Sequence, residues 1–335
     1  MNLRLRQQVV LIVLLVLLAW TFQACGAPLS MMQAAGRSAG TGGDAQAPAR
    51  GRTLLPKFVG NITTNGEVRP DFANYWNQLT PENDGKWASV EATRNQMDWT
   101  GLDAAVRYAR DHGFPFKEHA FVWGRQAPTW LAGLSKKEQA AEVEEWMQLF
   151  CERYPDTPLI DVVNEPDHAP PDFIDALGGA GRSGHDWVLW AFRTARKHCP
   201  NSRLILNDYD VLRFDTDKFI AIAEKVKRAR LLDAVGAQGH NLETQELGDL
   251  KSNLDKLATL GVPIYVSEYD IDEEDDAKQK AIMEQQFPIF WQTPQVAGIT
   301  LWGYVYGATW KPRAGLIKDD TPRPALVWLM DYLRR

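Results

Sequence analysis

Two hydrophobic patterns alternate along the chain. Short, largely apolar runs occur at 58–62, 78–81, 116–122, 159–163, 203–206, 234–237, 264–266 and 298–301. A continuous apolar run of that length reads as a strand buried on both faces, the environment of a parallel sheet. Between these runs, apolar residues recur at three- and four-residue spacing, which predicts amphipathic helices over 99–112, 136–153, 186–198, 216–230, 245–260, 277–291 and 325–333. Eight strands alternating with helices predict an α/β fold of one domain, a (β/α)8 TIM barrel over residues 54–335. No internal repeat, second domain or separate sugar-binding module is expected.

A barrel of this kind keeps its chemistry at the carboxyl ends of the strands. Two of the predicted strands run into glutamates, Glu165 within Asp161-Val-Val-Asn-Glu-Pro166 and Glu268 within Tyr265-Val-Ser-Glu-Tyr-Asp270. One such glutamate alone reads as a helix cap or an arginine partner. Two are the minimum needed to break a glycosidic bond, one as acid and one as nucleophile or base. The other strand ends carry Glu82 and Asn83, His119 and Trp123, Asn164, Asn207 with Asp208 and Tyr209, Gln238 and His240, Asp270, and Trp302. Amides and carboxylates suit a ligand covered in hydroxyls, and indoles offer flat faces to sugar C–H surfaces.

Composition narrows the setting. The formal net charge of -6 gives no electrostatic case for nucleic acid. Arg4 and Arg6 followed by an apolar run from Val9 to Trp20 read as a targeting signal over residues 1–25, too short to span a bilayer comfortably. Cys25 follows at once, in the setting of a bacterial lipoprotein processing site with Phe22 where Leu is usual. Lipidation at Cys25, which would tether the protein to a membrane, and plain secretion both remain open. Either way the mature protein is expected outside the cytoplasm or at the cell surface. Residues 26–53 are rich in Gly, Ala, Ser and Gln without apolar periodicity and read as a flexible linker. Beyond them only Cys151 and Cys199 remain, each near the end of a predicted helix. Outside the cytoplasm they are free to form a disulfide, with two buried thiols as the alternative.

Seven segments together resemble glycoside hydrolase family 10, the endo-1,4-β-xylanases. They are Thr80-Pro-Glu-Asn-Asp-Gly-Lys-Trp87, Lys117-Glu-His-Ala-Phe-Val-Trp123, Asp161-Val-Val-Asn-Glu165, Ile205-Leu-Asn-Asp-Tyr209, Gly236-Ala-Gln-Gly-His240, Val266-Ser-Glu-Tyr-Asp270 and Gly298-Ile-Thr-Leu-Trp-Gly303. The resemblance implies a retaining enzyme with Glu165 as general acid/base and Glu268 as nucleophile. It implies that Asn164, His119, Gln238 and His240 surround the sugar being cleaved. Glu82, Asn83 and Lys86 would hold the next sugar on the non-reducing side, and Trp123, Trp302 and Trp310 would form aromatic walls. Asp270, Asn207 and Tyr209 are expected as supports behind these. The chain departs from the family at Gly124, where a histidine is frequent, and at Gly85, where a methionine is common. Trp87, Trp99, Trp130 and Trp187 read as core residues.

A retaining mechanism needs the acid protonated and the nucleophile ionised at the start. Asp270 is placed to orient His240 so that its other nitrogen donates to Glu268, and a helix cap is the competing role for Asp270. The six histidines show no helical metal-ligand spacing, and no glycine-rich phosphate loop follows a strand. Neither a metal nor a cofactor is expected. His185 and His198 read as surface or capping residues. The expected partner is a polysaccharide, xylan or xylo-oligosaccharides, met by a monomer. The competing functions are a related β-glycanase acting on cellulose, mannan or mixed-linkage glucan, and a carbohydrate-binding barrel without catalysis.

Overall fold

The computed structural model describes residues 55–335. The segment 1–25, Cys25 and the whole of the predicted linker lie outside the described residues. Eight parallel strands form the barrel: β1 Phe58–Ile62, β2 Leu79–Thr80, β3 Lys117–Val122, β4 Leu159–Asn164, β5 Arg203–Asp208, β6 Ala234–Ala237, β7 Ile264–Tyr269 and β8 Val296–Leu301. Their order is β2-β1-β8-β7-β6-β5-β4-β3, and a parallel bridge between Leu79 and Phe116 joins the two ends. The outer layer holds the short α1 Trp87–Val90, then α2 Thr100–Asp111, α3 Lys136–Arg153, α4 Asp186–His198, α5 Thr216–Arg228, α6 Leu247–Ala258, α7 Asp276–Gln292 and α8 Pro324–Leu333. The connection from β1 to β2 carries only a 3-10 turn at Phe72–Asn74.

The barrel interior is layered. Phe58, Leu159, Ile205, Ala234 and Tyr265 plug its lower end. Phe58 stacks on Tyr265 at 5.6 Å, and a side chain at Gly298 would run into the Phe58 ring. Above this plug the inward positions turn polar: Asp161, Asn207, Ser267 and Thr300 are all buried. The main hydrophobic core lies between strands and helices. Trp146 stacks between Trp87 at 6.2 Å and Trp99 at 5.7 Å, Trp130 meets Trp87 edge-on, and Trp187 is buried, so all four tryptophans read as core residues pack there.

Four strands break the simple alternation, β8 among them with an extra residue between Val296 and Gly298. The pairing register shifts between His119 and Val122, between Asp161 and Val163, and between Val266 and Tyr269. A bulge inserts one residue and reverses the faces that follow. In β4 it lets Val162 and Val163 both join the outer core while Asn164 returns to the inside. In β7 it turns the consecutive Ser267 and Glu268 inward together, both onto Asn207. The two glutamates therefore stand on or directly after irregular strands.

At the lower end of the barrel Cys151, in the last turn of α3, and Cys199, capping α4, are joined by a disulfide with their Cα atoms 5.4 Å apart. His185 stands at the start of α4 with Nδ1 3.0 Å from Lys225 Nζ, and His198 ends that helix beside Glu144.

Candidate active site

Glu268 sits in a dense polar network at the barrel's upper end. Asn207 Nδ2 donates to its Oε1 at 2.7 Å, and His240 Nε2 lies 3.3 Å from Oε2. His119 Nδ1 is 3.9 Å from Oε1 and 2.9 Å from Asp161 Oδ2, which also accepts from Lys117 Nζ at 2.8 Å. Burial alone would push the Glu268 carboxyl up. The nearby His119, His240 and Lys117 outweigh it and hold Glu268 down at about 2. His240 Nδ1 lies 2.7 Å from Asp270 Oδ2. The ring N–H is poorly aligned there, so this is a charge contact more than a directed hydrogen bond. Burial would lower His240, but Asp270 and Glu268 override it and raise the ring to about 9.

Asp270 is no helix cap. Asp275 caps α7 by accepting from the backbone of Ala277 and Lys278. Asp270 instead accepts from Trp310 Nε1 at 3.1 Å and Lys311 Nζ at 3.0 Å, so it ties His240 to the segment after β8.

Glu165 follows β4 with φ +54°, a left-handed conformation unusual for a glutamate. Two backbone bonds hold it there, from its own N–H to Asn207 O and from Ala169 N–H to its carbonyl, both 2.8 Å. Trp123 Nε1 donates to Oε2 at 2.9 Å, and Gln238 Nε2 reaches Oε1 at 3.2 Å. Gln238 also donates to Asn164 Oδ1 at 3.2 Å, which accepts from Asn207 Nδ2 at 2.8 Å. A continuous amide relay thus runs from Glu165 through Gln238, Asn164 and Asn207 to Glu268. Around Glu268 the groups are cationic or donate, whereas Glu165 meets neutral amides and an indole.

Both glutamates face a cleft of about 670 Å³. One end is built by Glu82, Asn83 and Lys86. Lys86 Nζ donates to Asn83 Oδ1 at 3.2 Å and lies 5.1 Å over the Trp123 ring. Burial raises Glu82 against the pull of Lys86 and lowers Lys86 against the pull of the glutamates. The walls are Trp302, buried and edge-on to His119 at 5.1 Å, and Trp310, 55 % exposed, whose backbone N–H donates to Glu82 Oε1 at 3.3 Å. Buried Arg323 secures the segment that carries Trp310. Its guanidinium donates to the carbonyls of Arg313, Gly315, Glu273 and Glu274, joining this segment to the β7–α7 loop.

The cleft thus brings together Glu82, Asn83, Lys86, His119, Trp123, Asn164, Glu165, Gln238, His240, Glu268, Trp302 and Trp310. One side chain lies elsewhere than the sequence suggests. Tyr209, read as a support, lines the cleft itself, because the chain leaves β5 there and strand alternation no longer sets its direction. Asn207, also read as a support, is buried outside the cleft lining and bonds both Glu268 and Asn164. Trp123 is more than a wall, since its indole N–H is bonded to Glu165. Lys117 and Asp161 were overlooked, although a charged residue inside an apolar strand is costly unless paired and so marks itself. The two departures also have local causes. A side chain at Gly124 would press into the carbonyl oxygens of Ala169 and Pro170, and one at Gly85 would stand 2.9 Å from Glu118 Oε2.

A closed parallel barrel whose fourth and seventh strands deliver two buried carboxyls to one tryptophan-walled polar cleft defines a glycoside hydrolase. The chain belongs to glycosyl hydrolase family 10, whose profile matches residues 54–332. A Cellvibrio japonicus (strain Ueda107) protein named endo-1,4-beta-xylanase B is 49% identical over 285 residues, 83% of this chain and 46% of the relative. The chain therefore spans about half the length of that relative. A Caldicellulosiruptor saccharolyticus protein named endo-1,4-beta-xylanase A is 27% identical over 277 residues, 73% of this chain and 80% of its own. Among solved structures, xylanase 10B from Thermotoga petrophila RKU-1 in complex with xylobiose superposes with TM-score 0.70 at 25% identity, covering 83% of this chain and 94% of that one.

Proposed function

We propose that this protein is an endo-1,4-β-xylanase that hydrolyses internal bonds of xylan with retention of anomeric configuration. The observation that carries the reading is the unequal setting of the two glutamates. Glu268, ringed by His119, His240, Lys117 and Asn207, is kept ionised and serves as nucleophile. Glu165 delivers its proton to the departing glycosidic oxygen while Glu268 attacks the anomeric carbon, forming a glycosyl ester and releasing the reducing-end fragment. Esterification removes the charge of Glu268. Glu165, now a carboxylate, takes a proton from water as that water attacks the anomeric carbon, and Glu268 is released.

Asn164, His119, Gln238 and His240 hold the sugar under attack, and Glu82, Asn83 and Lys86 take the next sugar toward the non-reducing end. That constellation, together with the xylanase names of the family relatives, supports xylan over cellulose or mannan. A reducing-sugar assay over purified linear xylan, glucuronoxylan, cellulose, mannan and mixed-linkage glucan tests the substrate. Release from the xylans well above the others is expected, and a preference for cellulose or mannan would overturn the reading. The basic start and apolar core before Cys25 support export, with lipidation at Cys25 as the tether. Loss of membrane fractionation in Cys25→Ala tests that part.

A further inference from the structure

His168 lies three residues after Glu165 and lines no part of the cleft, yet its surroundings are built. Its Nδ1 is 2.7 Å from Asp208 Oδ1 and its Nε2 is 3.2 Å from Asp215 Oδ2. A neutral imidazole has one N–H, so its other nitrogen would set a lone pair against a carboxylate. Only the imidazolium satisfies both contacts. The ring stacks on Tyr209 with centroids 3.9 Å apart and planes at 27°. Asp208 also fixes the loop backbone, accepting from Tyr209 N–H at 2.8 Å and Asp167 N–H at 3.3 Å. Tyr209 follows β5 and lines the cleft, whereas Glu82, Asn83 and Lys86 follow β2, three strands round the barrel. With those three taking the non-reducing side, Tyr209 is left for the leaving fragment.

We infer that His168, clamped between Asp208 and Asp215, is a positioning residue that locks the Tyr209 ring as the platform for the leaving fragment of the sugar chain. The inference rests on the proposed xylan cleavage. Other charges face the clamp. Lys218 pairs with Asp215 at 2.8 Å and Asp167 at 3.5 Å, filling the space between those carboxylates with its own cation. Glu165, Asp208, Arg125 and Asp210 act on Tyr209. The Asp208 contact raises His168 to about 9, while burial raises Asp208 to about 6. The ion pair is therefore whole between these values and lost on either side.

The test compares xylohexaose, whose leaving fragment reaches Tyr209, with xylobiosyl fluoride, whose leaving group does not. In His168→Phe, which keeps an aromatic ring but no charge, the ratio of the two kcat/KM values should fall on the order of tenfold, the scale of a lost aromatic contact. In the wild type the same ratio should drop as pH climbs through about 9, the value to which Asp208 raises His168, and His168→Phe should lack that limb. Asp215→Asn keeps the ring and removes one tether, so it should move the limb to lower pH. It serves alone should His168→Phe fail to fold. An unchanged ratio, or equal loss on both substrates, overturns the clamp while the xylanase reading stands. A wild type that cleaves the fluoride but leaves xylohexaose intact overturns both.

Discussion

Asn207 donates to Glu268 Oε1 at 2.7 Å and to Asn164 Oδ1 at 2.8 Å through one side-chain nitrogen. The first bond is made to a charged acceptor, and such bonds contribute roughly 1.5–3 kcal/mol. Asn207→Ala should therefore lower kcat/KM on xylo-oligosaccharides by on the order of 10- to 100-fold. It should also shift the acid limb of kcat/KM upward, because Glu268 loses a donor that favours its ionised form. A pH profile of kcat/KM checks both effects together.

Glu165 faces an indole N–H and two amides, and its proposed task is to protonate the leaving oxygen. Glu165→Ala should slow xylan hydrolysis by about 10²- to 10⁴-fold, the usual contribution of a positioned acid. Aryl xylobiosides whose leaving groups need no proton should lose far less in the first step. Equal losses on both substrates would remove Glu165 from that role.

His240 and Glu268 make the stability of the site depend on pH with opposite signs. The ring of His240 is raised from 6.5 to about 9, so its contribution is complete below 6.5 and disappears as pH rises through about 9. Glu268 is depressed from 4.5 to about 2, so its contribution is complete above 4.5 and fades as pH falls through about 2. The Tm difference between wild type and His240→Gln should be largest between pH 4.5 and 6.5 and collapse by about pH 9. Thermal melts across that range provide the comparison.

The Cys151–Cys199 disulfide closes a sequence separation of 48 residues across α3, β4 and α4. Cross-linking a loop of that size restricts the unfolded chain, and removing a native disulfide typically costs about 2–5 kcal/mol. The double variant Cys151→Ala/Cys199→Ala should unfold at lower denaturant. Its kcat on xylan should stay near wild type at temperatures where it remains folded, because the bond lies at the barrel end away from the cleft.

The barrel was legible because buried parallel strands are largely apolar, so β1 and β6 were placed to the residue and the glutamates stood out at the ends of β4 and β7. The bulges were not legible. Whether Ser267 and Glu268 both turn inward depends on pairing with neighbouring strands, which a single strand's pattern does not carry. Tyr209 was misplaced for a related reason, since direction after a strand end follows loop packing instead of alternation. His168 gave no local signal. Its meaning comes from Asp208 and Asp215, 40 and 47 residues away. Lys117 and Asp161 did give one, as charges inside apolar strands.

In the proposed mechanism Glu268 forms a covalent bond to the sugar during turnover. Incubating the protein with an activated 2-deoxy-2-fluoro-xylobioside, then measuring intact and peptide masses, tests it directly. Stoichiometric labelling that abolishes activity is expected, with the added mass on the peptide carrying Glu268 and none in Glu268→Ala. Continued activity without an adduct, or an adduct on Glu165 or in Glu268→Ala, would contradict it.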